Sequence, residues 1–373
     1  MAAARTGALL EAFHFQAQAC RGLGAPLAAA LLDRAREDIR DGGPVAALLG
    51  DVVDDPLRAA LPLRLLAGLH RLVLTDEAHD LAAYCASVGG RFDAAPGSRD
   101  ADAAGDCMLA LVAEKSARLR PQLAVDPQTN EVARSGALFG GFLTVWKRAN
   151  LPLQLLELGA SAGLNLRFDR YRYRLGIFEW GDARSPVFVH PRWVGDFLTP
   201  AARDFEIAER AGCDLAPIDV ADPEQAVRLC SYVWPDDRDR FDRLRAAIDV
   251  ARAHPVAIDR DDALDWLADR LADRRPGRAT VVFHSVFQQY LSAADRAELE
   301  AMLDAAGREA RMAMPLAWLR LEQEELVFRL RLRSWDAAGR RDELLAEAHP
   351  HGRWVDWKAR GLRPMIGEVE DEG

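Results

Sequence analysis

The chain has 373 residues, half of them apolar and 28% charged, enough to bury one large core or two smaller ones, which excludes a disordered, collagen-like or disulfide-stapled protein. Its 58 acids against 48 bases leave a net charge of −10, which argues against bulk binding to nucleic acid or to an anionic membrane. Five scattered cysteines without a C-x-x-C pair read as reduced thiols, no charge-free apolar run reaches membrane-spanning length, and Glu11 and His14 interrupt any secretory core, so a cytoplasmic location is expected.

Residues 1–124 read as an all-helical domain. Segments 26–39 and 57–74 place apolar residues on one face at helical spacing, and breaks fall at Gly42-Gly43-Pro44 and Gly89-Gly90. Residues 91–106, rich in Asp, Gly, Ser and Pro, predict an exposed loop. From 125 to 373 the texture changes to strand–helix alternation. Thr129 or Asn130 is placed to cap a helix running to Lys147. The apolar run from Leu151 to Leu158, ended by Gly159, predicts a strand buried on both faces.

Tyr171, Tyr173 and Leu175 alternate with Arg172 and Arg174, which predicts a hairpin inserted at about 171–204. Its aromatics Tyr171, Tyr173, Trp180 and Trp193 either line a substrate pocket or pack as one face. Further strands are expected at 205–215, 255–259, 280–284, 316–321 and 326–332, with helices at 236–251, 263–271 and 293–306. Ser292 followed by Asp295 is a capping pair for the last helix. The final strand alternates Leu with Arg, as expected of an antiparallel strand wet on one face, and the acidic tail 368–373 reads as a frayed end.

The most informative stretch is Glu157-Leu158-Gly159-Ala160-Ser161-Ala162-Gly163-Leu164-Asn165. A buried strand ends at an acid, and small residues then let backbone approach a ligand at the start of an expected helix. The dinucleotide pattern G-x-G-x-x-G is not met. Gly159-Ala160-Ser161-Ala162-Gly163 does satisfy G-x-S-x-G, the nucleophile elbow of α/β-hydrolases, with His284, His349 and His351 downstream as candidate partners for Ser161.

The same stretch resembles motif I of the class I S-adenosylmethionine-dependent methyltransferases, acid-x-Gly-x-Gly-x-Gly, with Ser161 in place of the middle Gly. Ala211-Gly212-Cys213-Asp214 resembles the end of that family's second strand, and Asp259-Arg260-Asp261-Asp262-Ala263 the segment after its third. The resemblance implies a Rossmann-like, mostly parallel sheet with an antiparallel C-terminal edge behind the helical domain. It also implies a loop of Gly159, Ala160, Ser161, Gly163 and Asn165 against the cofactor, with Glu157 at the methionine end. Asp214 would hold the ribose and Asp262 the adenine, while Asn130 and Arg134 would lie near the methionine carboxylate. About 50 residues separate Gly163 from Asp214, where about 20 is usual. The insertion accounts for the excess; otherwise Glu179 or Asp182 is the ribose acid. His284, at the end of a buried strand, is the candidate general base. His349-Pro350-His351 lacks convergent acids, so no metal site is expected.

The strings Gln128-Thr129-Asn130-Glu131-Val132-Ala133-Arg134-Ser135, Leu155 to Leu166, Leu63-Arg64-Leu65-Leu66, His70-Arg71-Leu72-Val73-Leu74 and Val233-Trp234-Pro235 together resemble the bacterial family DUF2332 over nearly the whole chain. That resemblance implies a fold more than an activity. The expected function is methyl transfer from S-adenosylmethionine to a small-molecule or protein acceptor. The alternatives are a serine esterase using Ser161 and a non-catalytic cofactor- or nucleotide-binding protein.

Overall fold

The computed structural model describes residues 2–50, 52–196, 205–337 and 339–359, so the acidic tail 368–373 and the 197–204 end of the expected insertion lie outside the described residues. Contacts divide the chain into two compact units, 1–129 with 220–245 and 130–219 with 246–373. The expected boundary at 124/125 thus falls at 129/130, and a segment from the middle of the chain groups with the helices.

The first unit holds α1 (Ala2–Gly22), α2 (Pro26–Asp41), α3 (Pro44–Leu49), α4 (Leu61–Leu74), α5 (His79–Ala82) and α6 (Asp100–Leu123). The loop expected over 91–106 ends earlier, because Asp100 and Asp102 occupy the first turn of α6, where acids complement the helix dipole. Phe13, Leu27, Leu31, Leu48, Leu65, Leu69, Met108 and Val112 form one buried core, joined by Trp234 from the returning segment. That segment is held by polar groups as well. Both carboxylate oxygens of Asp236 accept from the first turn of α2, from Leu27 N at 2.6 Å and Ala28 N at 3.0 Å. His70 donates from Nδ1 to the Ser231 carbonyl (3.2 Å), so its Nε2 accepts from the Ser87 hydroxyl (2.8 Å). Burial holds this imidazole down at about 4, hence neutral. The strings around His70 and Val233-Trp234-Pro235, far apart in sequence, therefore belong to one core.

The second unit opens with α7 (Ser135–Ala149) and β1 (Leu153–Leu158). The cap expected from Thr129 or Asn130 is not formed: a 3-10 turn, Val132–Arg134, precedes α7, and Glu131 caps that turn through Ala133 N. The insertion contributes β2 (Arg172–Leu175), β3 (Phe178–Trp180) and β4 (Phe188–Val189), a small three-stranded sheet of order β3-β2-β4, and then β5 (Arg192–Val194). Next in the chain come β6 (Ile207–Asp214), then α8 (Pro223–Ser231) and α9 (Arg238–Ala253), of which α8 and the first half of α9 belong to the returning segment of the first unit, and then β7 (Ile258–Arg260), α10 (Ala263–Ala272), β8 (Ala279–Ser285), α11 (Ala293–Arg308) and β9 (Leu316–Glu324). Ser292 and Asp295 form the expected capping box of α11. The chain closes with β10 (Val327–Asp336), β11 (Gly339–Ala348) and β12 (Trp354–Trp357).

Nine strands make one sheet of order β5-β12-β11-β10-β9-β8-β1-β6-β7. β9, β8, β1, β6 and β7 are parallel neighbours, and β9 to β12 form an antiparallel meander at one side. The fold is thus α/β, with a large, mostly parallel sheet and an N-terminal helical region. The sequence reading did not place β11 and β12. β11 is charged at its start, where Asp342 and Glu343 pair with Arg333 and Arg148 on neighbouring elements, so its apolar alternation is masked. From β1 the chain proceeds to β6 and β7 on one side and returns to β8 on the other. That reversal is where open α/β sheets bind ligands, beyond the carboxyl ends of the strands.

Candidate functional site

Every residue of β1 is buried, as its apolar sequence requires of a strand flanked by parallel neighbours. The strand passes into Gly159 at φ +65°, and Ala160 N continues the pairing to Cys213 O of β6 at 2.9 Å. The close crossing requires Gly212 opposite: a Cβ there would lie 2.8 Å from the Ala160 Cβ. Ser161 adopts φ +53°, the left-handed conformation that glycine takes at little cost. The position matched to the middle glycine of motif I thus keeps glycine-like geometry with a serine side chain.

No α-helix follows this loop. A six-residue 3-10 segment, Asn165–Arg170, takes its place, so the expected helix N-terminus is absent. The loop is held by side chains instead. Asn130 Oδ1 accepts from Leu164 N at 2.9 Å. Asp214, at the end of β6, accepts from Ser161 N at 2.9 Å and from Ala216 N at 2.9 Å. The Arg167 guanidinium donates to the carbonyls of Ala162, Gly163 and His254 at 3.1, 2.7 and 2.8 Å. Sequence reasoning missed Arg167, whose role depends on a carbonyl 87 residues away. Tyr171 and Tyr173 are fully buried and donate to Leu164 O (2.6 Å) and Phe168 O (2.9 Å), so they brace the loop from behind.

Three buried acceptors on this one stretch have no hydrogen-bond partner: Glu157 Oε2, Ser161 Oγ and Asn165 Oδ1. Glu157 is 2% exposed, Ser161 6% and Asn165 1%. Burial pushes the Glu157 carboxyl well above the usual carboxylate range; Arg167 opposes the shift and Asp214 adds to it.

Asp262 lies beyond β7 and caps α10 through Leu264 N at 2.8 Å, with its side chain exposed. Asp261 N donates to Asp214 O (3.2 Å), so the exits of β6 and β7 adjoin. Glu179 and Asp182 are not brought to the loop: they sit exposed on the insertion, paired with Arg174 and Arg184. Arg134 is buried beside the loop after β11, its Nε on Pro350 O at 3.0 Å and its Nη1 3.5 Å from Ser285 O.

His284 is fully buried at the end of β8. Trp318 Nε1 can only donate, so His284 Nε2 accepts from it at 3.0 Å, and Nδ1–H donates to Glu322 Oε1 at 2.6 Å. Both ring nitrogens are engaged, which removes the role of general base expected for His284. The same pairing bears on the elbow reading, since the Nε2 that would activate a serine already holds an indole N–H. His349 and His351 are half-buried neighbours, with His351 N donating to His349 Nδ1 at 3.0 Å. Among the described residues no group of three His, Cys, Asp or Glu could hold a metal ion, and no helix is long and apolar enough to cross a membrane.

Residues 10–357 match the family described as "Uncharacterized protein conserved in bacteria (DUF2332)". No curated protein matches the sequence. Among solved structures the chain is similar to the X-ray structure of the sugar N-methyltransferase KedS8 from a Streptoalloteichus species, at 15% identity over 57% of this chain and 69% of that one, with a TM-score of 0.19.

Proposed function

The chain belongs to the DUF2332 family, and from that premise we propose that its second unit binds S-adenosylmethionine and transfers the methyl group to a small-molecule or protein acceptor. The observation that carries this reading is the trio of buried, unpartnered acceptors Glu157 Oε2, Ser161 Oγ and Asn165 Oδ1. Unmatched buried acceptors are costly, and an ammonium group supplies N–H donors to acceptors of this kind. The α-amino end of S-adenosylmethionine supplies such a group, and its positive charge would favour the ionised form of the acid at the end of β1.

The other residues fit around that anchor. Gly159, Ala160 and Gly163 keep the loop free of bulk. Asp214 stands at the end of β6 and is tied to the loop through Ser161 N, the position from which an acid reaches ribose hydroxyls. Asp262 Oδ1 takes one N–H and the exposed carboxylate has acceptor sites left for an adenine amino group. Asn130 fixes the loop, and Arg134 fixes the neighbouring turns. The cofactor brings an activated methyl on a sulfonium, so the chain's task is to hold, orient and exclude water, and no general base has to be present.

Calorimetric titration with S-adenosylmethionine and S-adenosylhomocysteine tests this. Micromolar binding is expected, and Asp214→Ala, which unties Ser161 N and empties the ribose position, should weaken it at least about tenfold, a loss of about 1.4 kcal/mol. No binding of either ligand at millimolar concentration would sink the proposal.

One observation favours the serine esterase: Ser161 sits at positive φ directly after a strand, as an elbow nucleophile does. The two readings diverge on Ser161→Ala. The cofactor reading expects affinity reduced about 2- to 10-fold, the worth of one neutral hydrogen bond, and no fluorophosphonate labelling of the unaltered protein. Labelling abolished by Ser161→Ala would favour the esterase.

A further inference from the structure

His284 and Glu322 are buried with Trp318 in a hydrogen-bonded chain that the proposed chemistry leaves unused. Its far end is a backbone group. Glu322 Oε1 accepts from His284 Nδ1 and also from Phe287 N, at 2.9 Å. Between them lies Val286 at φ +57°, a conformation that β-branched residues rarely adopt. Such an outlier persists only where its surroundings over-determine it, and such outliers cluster at functional sites. Here the determinants are the Glu322 carboxylate on Phe287 N and the Leu321 carbonyl on Val286 N, the latter at 2.9 Å. The turn in turn presses on the loop after β1: a Cβ at Gly159 would lie 2.6 Å from Phe287 Cδ2.

We propose that Trp318, His284 and Glu322 act as a positioning chain that fixes the 285–287 turn against the 157–165 loop and so sets the shape of the cofactor site. Trp318 sets the imidazole tautomer, the imidazole orients the carboxylate, and the carboxylate holds Phe287 over Gly159. None of the three touches the reacting atoms. This deepens the cofactor reading and rests on it only where a ligand is concerned.

Hydrogen–deuterium exchange on the full chain reads both segments without a ligand. Glu322→Gln keeps the volume and one oxygen for both N–H donors but loses the charge, so two charge-assisted bonds become neutral ones. It should speed exchange at least tenfold in 285–290 and in 157–165, and leave α7 unchanged. Phe287→Ala should loosen 157–165 as well, and the double variant should loosen it no further, because the two act through one contact. Trp318→Phe, a milder change that leaves the carboxylate in place, should give a smaller rise in the same two segments; it decides the matter should Glu322→Gln fail to fold. Unchanged exchange in 157–165, or additive effects of Glu322→Gln and Phe287→Ala, would overturn the proposal. In parallel, S-adenosylhomocysteine should bind Glu322→Gln at least tenfold more weakly than the unaltered chain. If the unaltered chain does not bind it, the cofactor reading falls, while the exchange result still decides the positioning chain.

Discussion

Glu157→Leu is expected to yield a more stable protein that has lost most of its affinity for S-adenosylmethionine. The Glu157 carboxyl is 2% exposed and one of its oxygens has no partner. Its folded pKa is raised above the unfolded value by burial. The unfolded chain therefore binds fewer protons between the two values, and stability falls as pH rises from the unfolded pKa through the folded one. Leucine removes both the orphan oxygen and this dependence. Thermal scans should show the variant ahead by about 1–3 kcal/mol near neutral pH, roughly 2–4 °C in Tm per kcal/mol, with the gap narrowing toward pH 4. Calorimetry should show binding about 10- to 100-fold weaker, the worth of one charge-assisted hydrogen bond of about 1.5–3 kcal/mol. A variant less stable than its parent at pH 8 would show that Glu157 serves the fold rather than a ligand.

Asp236→Ala should give the largest loss of stability in the helical unit. Alanine strips two first-turn N–H groups of α2 of their carboxylate acceptor, and Leu27 and Ala28 themselves are buried. The expected cost is about 2–4 kcal/mol, above an ordinary N-cap because both bonds reach a charged group. Asp236→Asn, which retains one acceptor oxygen, should recover about half. Exchange at the α2 amides is the direct readout, since it reports on this helix alone. Protection in α2 equal to that of the parent would show that solvent replaces the carboxylate.

The sequence is legible where local chemistry decides the conformation. A nearly continuous apolar run ended by Gly159 marks β1, Ser292 with Asp295 marks the start of α11, and a glycine-like φ at Ser161 fits a loop that resembles a glycine motif despite its serine. It is opaque where distant residues decide. Residues 164–168 would suit a helix, yet their carbonyls are taken by Tyr171, Tyr173 and Arg210, the last bonding Leu166 O at 2.9 Å. His284 ends a buried strand as expected, but its partners lie 34 and 38 residues further on. With them in place, a base becomes a strut. Asp214 lies across a gap of unusual length, yet the fold brings it to the loop through Ser161 N, while Glu179 and Asp182 stay exposed on the insertion.

The helical unit is interrupted in sequence: residues 220–245 complete it only after 130–219 have been made. During synthesis at roughly 5–20 residues per second, the amino-terminal helices wait about ten seconds for Asp236 and Trp234 to leave the ribosome. Until then α2 lacks its carboxylate cap and the core lacks an indole. A fragment stopped at residue 129 should accordingly be a sticky, protease-sensitive species. No single cut separates the two units: one after residue 129 strips the helical unit of 220–245, and one after 245 strips β1 and β6 of their neighbours β8 and β7.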